Sequence, residues 1–445
     1  MFTRTSEGAS LTHRTVLALA IPVMLSNLST PLTGIVATAV VGRIPGAAPI
    51  GAVAAGSLIF DLVFWGFGFL RMGTTGLTAQ ARGAQDEDEL RGTLGRALLC
   101  ALAIGAVLIL LQWPIRAAAF GLLGAGPQVE QLARQYFSVR IWAAPAALAN
   151  YAILGWLIGL GRTQLALIVQ LVLNITNMVL AVLFVLGLHQ GVPGVAAATV
   201  LAEYTATAVG LGVALLHTSR LAGAWSAGRL LSVSAVRRML SVNLDIMIRS
   251  LALITVFLWF TGSGARQADT TLAANAVLMH LVAFSAFFLD GLAFATEALV
   301  GQAAGARLAQ RLNAAVRLTT AWAAGIACVL SLTLLMGGGT LIAALTLDPG
   351  VRMMAQAYLP WAAGAPLLGV WAWQLDGIFI GATRTAEMRN AMLQSLVLFL
   401  AAWWLLRPLG NLGLWAAMYV SYLARTLTLA RYYPRLLQTV DSEAA

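Results

Sequence analysis

Hydrophobic residues run through this chain in long segments that short polar connectors separate. Residues 15–42, 163–202 and 318–347 contain no Asp, Glu, Lys or Arg. A helix of about 20 apolar residues spans a bilayer, and these segments lack the apolar–polar alternation of membrane β-barrel strands. The pattern therefore predicts an all-α polytopic membrane protein.

The segments predict twelve transmembrane helices, six in each half of the chain. An even number of spans per half means that both halves enter the membrane from the same side. The predicted spans are 16–42, 50–80, 97–115, 136–160, 166–188, 193–216, 239–262, 271–300, 317–337, 355–380, 389–406 and 411–433.

Three short strings of similar sequence occur twice, at offsets of 222, 222 and 219 residues in a chain of 445. Such a doubled unit in a membrane protein is typical of a transporter whose path lies between the halves. Six spans per half make the repeat parallel, with an axis along the membrane normal. The paired strings begin at Gln80 and Gln302, at Gly155 and Gly377, and at Gly194 and Gly413.

The repeat predicts an N-terminal six-helix lobe at 1–216, a cytoplasmic linker at 217–238 and a C-terminal six-helix lobe at 239–445. Arginine is more frequent in the connectors on the side of Arg82 and Arg91 than on the side of Arg43. Because cytoplasmic connectors carry the excess of basic residues, we expect both termini to be cytoplasmic. The first apolar run is too long for a signal peptide and is interpreted as the first span.

The composition excludes several classes of protein. The chain is 60% hydrophobic and 10% charged, whereas soluble domains carry about 25% charged residues. The net charge of +10 comes from arginines spread over many connectors, which indicates topology-setting charge and no nucleic-acid partner. Two lone cysteines and four scattered histidines give no metal or catalytic motif. We expect no enzyme activity, no cofactor and no metal, and a monomer among membrane lipids.

Ionisable residues inside predicted spans are the candidates for function, because each costs roughly 2.5–3.5 kcal/mol at a helix centre. Asp245 and Arg249 are four residues apart and share a helix face. They are either a neutralised buried pair or a carboxylate whose proton affinity the arginine sets. The other candidates are Asp61, Arg71, Arg140, Glu203, Asp290, Glu297, Asp376 and Arg425.

Asp290 and Glu297 are seven residues apart on one helix face, where a carboxylate can hold a proton or a cation in a low dielectric. Glu297 lies nearer the cytoplasmic end and is alternatively a solvated carboxylate. Asp376 follows Trp371 and Trp373, and aromatic rings beside a carboxylate suit an organic cation. The alternative is that these indoles face lipid or the interface. Neutralising Asp290 or Asp376 should stop gradient-driven transport and leave folding intact.

Four strings of the chain have a distinctive sequence. They are Phe-Trp-Gly-Phe-Gly-Phe-Leu-Arg-Met-Gly from Phe64, Asn-Ala-Val-Leu-Met from Asn275, Leu-Asp-Gly-Leu-Ala-Phe-Ala-Thr-Glu from Leu289 and Leu-Asp-Gly-Ile-Phe-Ile-Gly-Ala-Thr-Arg from Leu375. These strings resemble the multidrug and toxic compound extrusion (MATE) family, in its DinF-like branch, and the resemblance covers essentially the whole chain.

The resemblance implies a transporter of two six-helix lobes in the bacterial cytoplasmic (inner) membrane. Such a transporter exports small amphipathic, often cationic organic compounds in exchange for H⁺ or Na⁺. A flippase of lipids or lipid-linked substrates, from the same superfamily, is the alternative. A membrane-embedded enzyme would need a His, Cys or carboxylate constellation that the sequence lacks.

The chain departs from the family at two positions of the first lobe. DinF-like proteins have an Asp in helix 1 and another in helix 5, where this chain has Ala37 and Ala181. The polar partners Asn177 and Thr199 are present, as is Pro22 at the family's bend in helix 1. Coupling is therefore expected in the second lobe, with Asp61 as the one substitute in the first.

Overall fold

The computed structural model describes residues 11–124, 126–221 and 225–442, and nearly all of this backbone is helical, without a β-strand. The start of the predicted first lobe and positions 222–224 of the predicted linker lie outside the described residues. The α-helices are α1 (His13–Val41), α2 (Ala48–Gly66), α3 (Phe69–Gly83), α4 (Glu87–Leu110), α5 (Gln112–Leu123), α6 (Pro127–Arg140), α7 (Ala144–Gly159), α8 (Thr163–Val182), α9 (Gly191–Thr218), α10 (Ala227–Leu230), α11 (Val233–Ala265), α12 (Asp269–Gly305), α13 (Ala309–Leu345), α14 (Pro349–Gly381), α15 (Thr385–Leu406), α16 (Asn411–Ala430) and α17 (Tyr433–Ser442).

Ten helical segments of the described chain are long and apolar enough to cross a membrane. Two of them combine helices, since α2 and α3 form the segment Ala48–Gly83 and α6 and α7 form Pro127–Gly159. The ten occupy the positions of ten predicted spans. Helices α14, with 33 residues, and α16, with 20 residues, occupy the positions of the predicted tenth and twelfth spans.

The backbone of the connectors repeats with the sequence. Gln85 and Arg307, at the same place in the two halves, have left-handed φ angles of 56° and 57°. Gly161 and Thr383 have φ angles of 71° and 53°. In each connector a backbone N–H reaches back five residues, as in Arg162 N to Leu157 O at 2.8 Å, which is the Schellman arrangement for ending a helix. The internal repeat is therefore confirmed in three dimensions.

Thr383 occupies the left-handed position where the first half has glycine. A β-branched residue there is strained, at about 1–2 kcal/mol. We expect Thr383→Gly to raise the free energy of unfolding by about 1 kcal/mol, and the reciprocal Gly161→Thr to lower it. Thermal unfolding of the purified variants in detergent measures both. A lower melting temperature for Thr383→Gly would show that the threonine side chain stabilises the connector by more than its backbone strain.

The described chain forms two compact units, whose limits differ from those of the sequence repeat. The first unit is Leu25–Ser250, and the second is Leu251–Ala445 with the described residues of Met1–Met24. Helices α1 and α11 therefore each contribute to both units. The start of α11 belongs to the first unit because it packs on α3, where Arg238 Nη2 donates to Gln80 Oε1 at 2.5 Å.

Glycines bring pairs of helices close together in both units. In the first unit, a Cβ added at Gly155 of α7 would lie 2.3 Å from the carbonyl oxygen of Arg71 in α3. In the second unit, a Cβ added at Gly381 of α14 would lie 2.5 Å from the carbonyl oxygen of Glu297 in α12. Because backbones can approach so closely only at small residues, these glycines position α14 and α7 inside their units.

Candidate functional site

An aspartate and an arginine form a buried ion pair in the second unit. Asp376 of α14 and Arg425 of α16 are 4% and 3% exposed. Arg425 Nε lies 3.3 Å from Asp376 Oδ1, and Arg425 Nη2 contacts Asp376 Oδ2. The pair places a charged carboxylate and its counter-ion at membrane depth, where ionisable groups are rare and have functional roles by default.

Further polar side chains of α14 and α12 are buried in the same unit. Gln374, two residues before Asp376, is buried, and its Oε1 lies 2.8 Å from Thr296 Oγ1 of α12. Glu297 follows Thr296 and is only 2% exposed. The alternative that Glu297 is a solvated carboxylate is therefore wrong, because tight packing of α14 on α12 covers it. Asp290, on the same helix, is half-buried.

A cavity of about 260 Å³ lies in the second unit beside these residues. Its walls include Trp371, Gln374, Leu375 and Ile378 of α14, together with residues of α13, α16 and Tyr433 of α17. Trp371 thus lines a cavity, although the indole remains 45% exposed. Trp373 instead packs near Tyr422, with ring centroids 6.2 Å apart.

The first unit contains a buried acid with an arginine partner, Glu203 of α9. Asn150 of α7 donates through Nδ2 to Glu203 Oε2 at 2.7 Å and to the Glu203 carbonyl at 3.0 Å. Arg140 of α6 brings Nη2 to 3.7 Å from Glu203 Oε1. All three side chains are buried. An arginine and an amide therefore stabilise this carboxylate, so each unit has a buried acid with an arginine partner.

Arg140 is held mainly by aromatic rings. Its guanidinium carbon lies 5.3 Å from the ring centroids of both Phe60 and Phe64. Its Nη1 is buried and has no hydrogen-bond partner among the described residues. Arg140 also acts electrostatically on Asp61, whose position on α2 is exposed. The predicted first-unit substitute, Asp61, therefore lies at the edge of a charged cluster that has the buried Glu203 at its centre.

Asp245 and Arg249 are both buried in α11. They precede residue 251 and so belong to the first unit, whereas the repeat assigned them to the second lobe. Their predicted pairing stays a prediction. The compact second unit holds Asp290, Glu297 and Asp376 from the predicted set of acids.

The positions that depart from the family are buried or half-buried. Ala181 of α8 is fully buried, and Ala37 of α1 is half-buried. Asn177 is buried four residues before Ala181, and Thr199 Oγ1 donates within its own helix to Val195 O at 3.1 Å. Pro22 is buried within α1. No group of three or more metal-ligating side chains occurs within the described parts of the chain.

The sequence indicated the ionisable residues but not their partners. Asp376 and Arg425 are 49 residues apart, and Asn150 and Glu203 are 53 apart, so helical spacing carries no signal for either contact. The signal that was available is residue type, since Glu203 and Arg425 stand in apolar helices and Arg140 lies near the start of a predicted span. Asn150 gave no such signal, because a lone amide in a transmembrane helix is common packing.

Comparison with known proteins agrees with this architecture. Residues 22–183 and 246–405 match the MatE family model, one match in each half. The chain is 41% identical to the DNA damage-inducible protein F of Escherichia coli, over 97% of this chain and 93% of the relative. It is 24% identical to the multidrug resistance protein PmpM of Pseudomonas aeruginosa, over 97% of this chain and 95% of the relative.

Solved structures share the fold over nearly the full length. A multidrug resistance MATE family transporter of the MOP superfamily, in an outward-facing conformation, superposes with a TM-score of 0.87 at 18% identity and covers 97% of each chain. A MOP superfamily transporter from Pyrococcus furiosus gives the same TM-score and covers 95% of this chain and 96% of its own. The chain therefore belongs to the MatE family and is an integral membrane transporter, not an enzyme.

Proposed function

We propose that this transporter exports amphipathic, often cationic organic compounds across the bacterial cytoplasmic membrane, in exchange for H⁺ or Na⁺ and by alternating access. The observation that carries the proposal is the buried pair of Asp376 and Arg425 at membrane depth. Two relatives of the chain, a structure and a sequence, are described as multidrug resistance proteins, which supports the substrate class.

The ion pair supplies a physical basis for coupling. An ion shifts a conformational equilibrium only if it binds the two conformations differently. In the conformation described here, Arg425 neutralises Asp376, so a proton or Na⁺ competes with the guanidinium for the carboxylate. A conformation that separates the two side chains leaves the carboxylate free for the cation. Cation binding would then favour that second conformation.

Glu203 is the matching candidate in the first unit. The family's two first-lobe acids are replaced by Ala37 and Ala181, yet Glu203 keeps a buried carboxylate there, held by Asn150 and Arg140. The acid stands on α9 and its arginine on α6, whereas in the second unit the acid stands on α14 and the arginine on α16. We propose Asp376 as the principal coupling residue and Glu203 as a second one.

Inverted membrane vesicles test the proposed activity. In a host without its own efflux pumps, inverted vesicles with the protein should accumulate ethidium when their lumen is made acidic or is loaded with Na⁺, because the cation then leaves as ethidium enters. The gradient that drives uptake identifies the coupling ion. Vesicles that ignore a broad panel of amphipathic cations, with the protein confirmed in the membrane, would contradict the proposal and favour the lipid flippase.

The predicted topology has its own test. Single cysteines at Asp86 and Ser226 should be shielded from impermeant thiol reagents in intact cells, because both termini and these connectors are expected in the cytoplasm. A single cysteine at Ala268, in the connector before α12, should be labelled. All three positions are exposed in the structure, so a lack of labelling reports the membrane side and not burial. The reverse pattern would invert the orientation.

A further inference from the structure

The cavity of the second unit opens at the protein surface and at membrane depth. Its walls come from α13, α14 and α16, with Tyr433 of α17 beside them. Along α14 it extends from Trp371 to Ile378, a distance of about 10 Å at the rise of an α-helix. The lining residues Trp371 and Ala430 are exposed, and Leu427, next to the lining Thr426, is 69% exposed. Because α14 and α16 occupy predicted spans, the opening faces the acyl chains of the bilayer.

The walls of the cavity offer apolar contact. Val316 and Ile378 line it with aliphatic side chains. Two of its hydroxyl groups form their hydrogen bonds elsewhere, since Thr426 Oγ1 donates within its own helix at 2.9 Å and the Tyr433 hydroxyl donates to Asn313 Oδ1 at 2.8 Å. Apolar walls that lack a neighbour lose dispersion contacts, so a hydrocarbon chain that fills the cavity is favoured.

The first unit has a larger side chain of its own at the equivalent position. The repeat offset of 222 residues places Trp156 of α7 where α14 has Ile378. Trp156 is fully buried, and its Nε1 donates to the carbonyl oxygen of Leu90 in α4 at 2.9 Å. In the second unit the smaller isoleucine lines the cavity instead. An indole therefore occupies this position in one unit, whereas the other leaves room for a hydrocarbon chain.

Exposed arginines flank the cavity of the second unit. Arg317 follows the lining Val316, and Arg431 follows the lining Ala430. Both arginines are exposed, and neither forms an ion pair within the described parts of the chain. Arg317 acts electrostatically on Tyr433, which lines the cavity. Positive charge without an acidic partner therefore lies beside the apolar walls, as an anionic headgroup above an acyl chain requires.

The repeat differs at this flank as well. The same offset places Gly95 of α4 where α13 has Arg317. A Cβ added at Gly95 would lie 2.4 Å from Leu230 Cδ1 of α10, so the linker packs on α4 in the first unit. The second unit has a charged, exposed side chain at the position that the linker covers in the first.

We propose that one anionic phospholipid of the membrane binds here, with an acyl chain in the cavity and its headgroup against Arg317 and Arg431. The volume of about 260 Å³ is below the roughly 300–1,000 Å³ of sites for drug-sized ligands, so the cavity takes part of one chain. Basic pockets between helices on the cytoplasmic side bind anionic headgroups, and α17 is expected on that side. The lipid is a bound component and not the exported compound, so the inference goes beyond the proposed function.

A matched pair of lipids tests the headgroup. Native mass spectrometry of the delipidated full-length protein measures the affinity of the first bound lipid, for dioleoylphosphatidylglycerol and for dioleoylphosphatidylcholine. The two lipids have the same acyl chains, but only the first has a net negative charge. We expect the phosphatidylglycerol to bind about tenfold more tightly, because each nearby arginine attracts an anionic headgroup. Equal affinities would overturn the proposal.

Arginine variants place the headgroup. Arg317→Gln should weaken binding of the phosphatidylglycerol about fivefold and leave the phosphatidylcholine unchanged, and adding Arg431→Gln should remove the difference between the two lipids. Arg220→Gln is the matched control, because Arg220 is an exposed arginine of the first unit that does not line the cavity, and it should leave both affinities unchanged. A double variant that still prefers the phosphatidylglycerol tenfold would overturn the assignment of the headgroup.

Two cavity-filling variants place the acyl chain. Ile378→Trp copies the first unit, and Ala430→Phe adds a ring at an exposed lining residue, so the second decides the test if the first does not fold. Each should weaken both lipids about fivefold or more. Leu427→Phe, which adds bulk to an exposed side chain outside the cavity, is the control and should bind both lipids normally. An Ala430→Phe protein with native affinities would overturn the proposal.

Competition separates this site from the exported compound. Ethidium should leave the bound phosphatidylglycerol in place, and displacement of the lipid by ethidium would overturn the proposal, because the cavity would then bind the cation itself. Lipid binding without ethidium transport would contradict the proposed export alone, and transport without selective lipid binding would contradict the lipid site alone.

Discussion

Replacing Asp376 with asparagine is expected to abolish gradient-driven export and also to lower the amount of folded protein. The sequence alone predicted loss of transport with intact folding, but the structure shows that Asp376 is the partner of the buried Arg425. Removing one member of a buried pair leaves an uncompensated charge and costs about 3–5 kcal/mol. Fluorescence-detected size exclusion measures the folded protein, and ΔpH-driven or Na⁺-driven uptake into proteoliposomes measures coupling.

A double variant separates the two consequences. Asp376→Leu combined with Arg425→Met removes both charges, and exchanging a buried pair for hydrophobic side chains of similar volume is often neutral for stability. The amount of folded protein should therefore recover while gradient dependence stays lost. Normal gradient dependence in the double variant would show that the pair has a structural role only.

Other acids provide the controls for this experiment. Glu130→Gln breaks the half-buried surface pair of Glu130 and Arg134, whose side chains approach to 2.6 Å, and should cost at most about 1 kcal/mol with normal transport. Asp290→Asn in the second unit and Glu203→Gln in the first show whether these carboxylates are also needed for gradient-driven transport. If Asp61→Asn alone stops transport while Asp290→Asn and the Asp376 variants are silent, the second-unit assignment is wrong.

Replacing Gly155 or Gly381 with alanine is expected to destabilise the protein by about 1–3 kcal/mol. The added Cβ would lie 2.3 Å from the carbonyl oxygen of Arg71 in the first case and 2.5 Å from that of Glu297 in the second. Both contacts are with backbone atoms, which cannot turn away as a flexible side chain can. The helices must separate, and the melting temperature in detergent should fall for each variant.

Gly325→Ala is the matched control for these glycines. Gly325 lies inside α13, and a Cβ there would meet no atom within 4 Å. Alanine favours a helix by up to about 1 kcal/mol over glycine, so this variant should be neutral or slightly stabilised. A similar loss of melting temperature in all three variants would mean that close helix approach is not the cause.

The local features of the protein were determined by the sequence itself. Apolar segments of sufficient length predict membrane helices because the transfer of each segment into the bilayer depends on its own residues. The helices α8 and α15, for example, begin at Thr163 and Thr385, within the repeated strings that predicted equivalent connectors. The glycine at position 161 indicated a left-handed turn there. Thr383, at the equivalent position of the second half, has the same left-handed backbone without a glycine.

The partners of the buried charges were decided only by the tertiary structure. Asp376 meets Arg425, and Glu203 meets Asn150 and Arg140, through helices that are distant in sequence. Such contacts depend on how whole helices pack, which in turn depends on many small residues such as Gly381. The spacing between two residues in the sequence therefore does not predict which buried charges become partners.

The limits of the compact units were also decided by packing. The repeat places the division of the chain in the connector between α9 and α11, because the repeated unit consists of whole helices. The compact units divide it inside α1 and α11, since the two ends of one long helix can pack against different neighbours. The sequence thus determined which residues enter the membrane and which of them are charged. The tertiary structure determined which charges neutralise one another, because burial of a charge is stable only where packing supplies its partner.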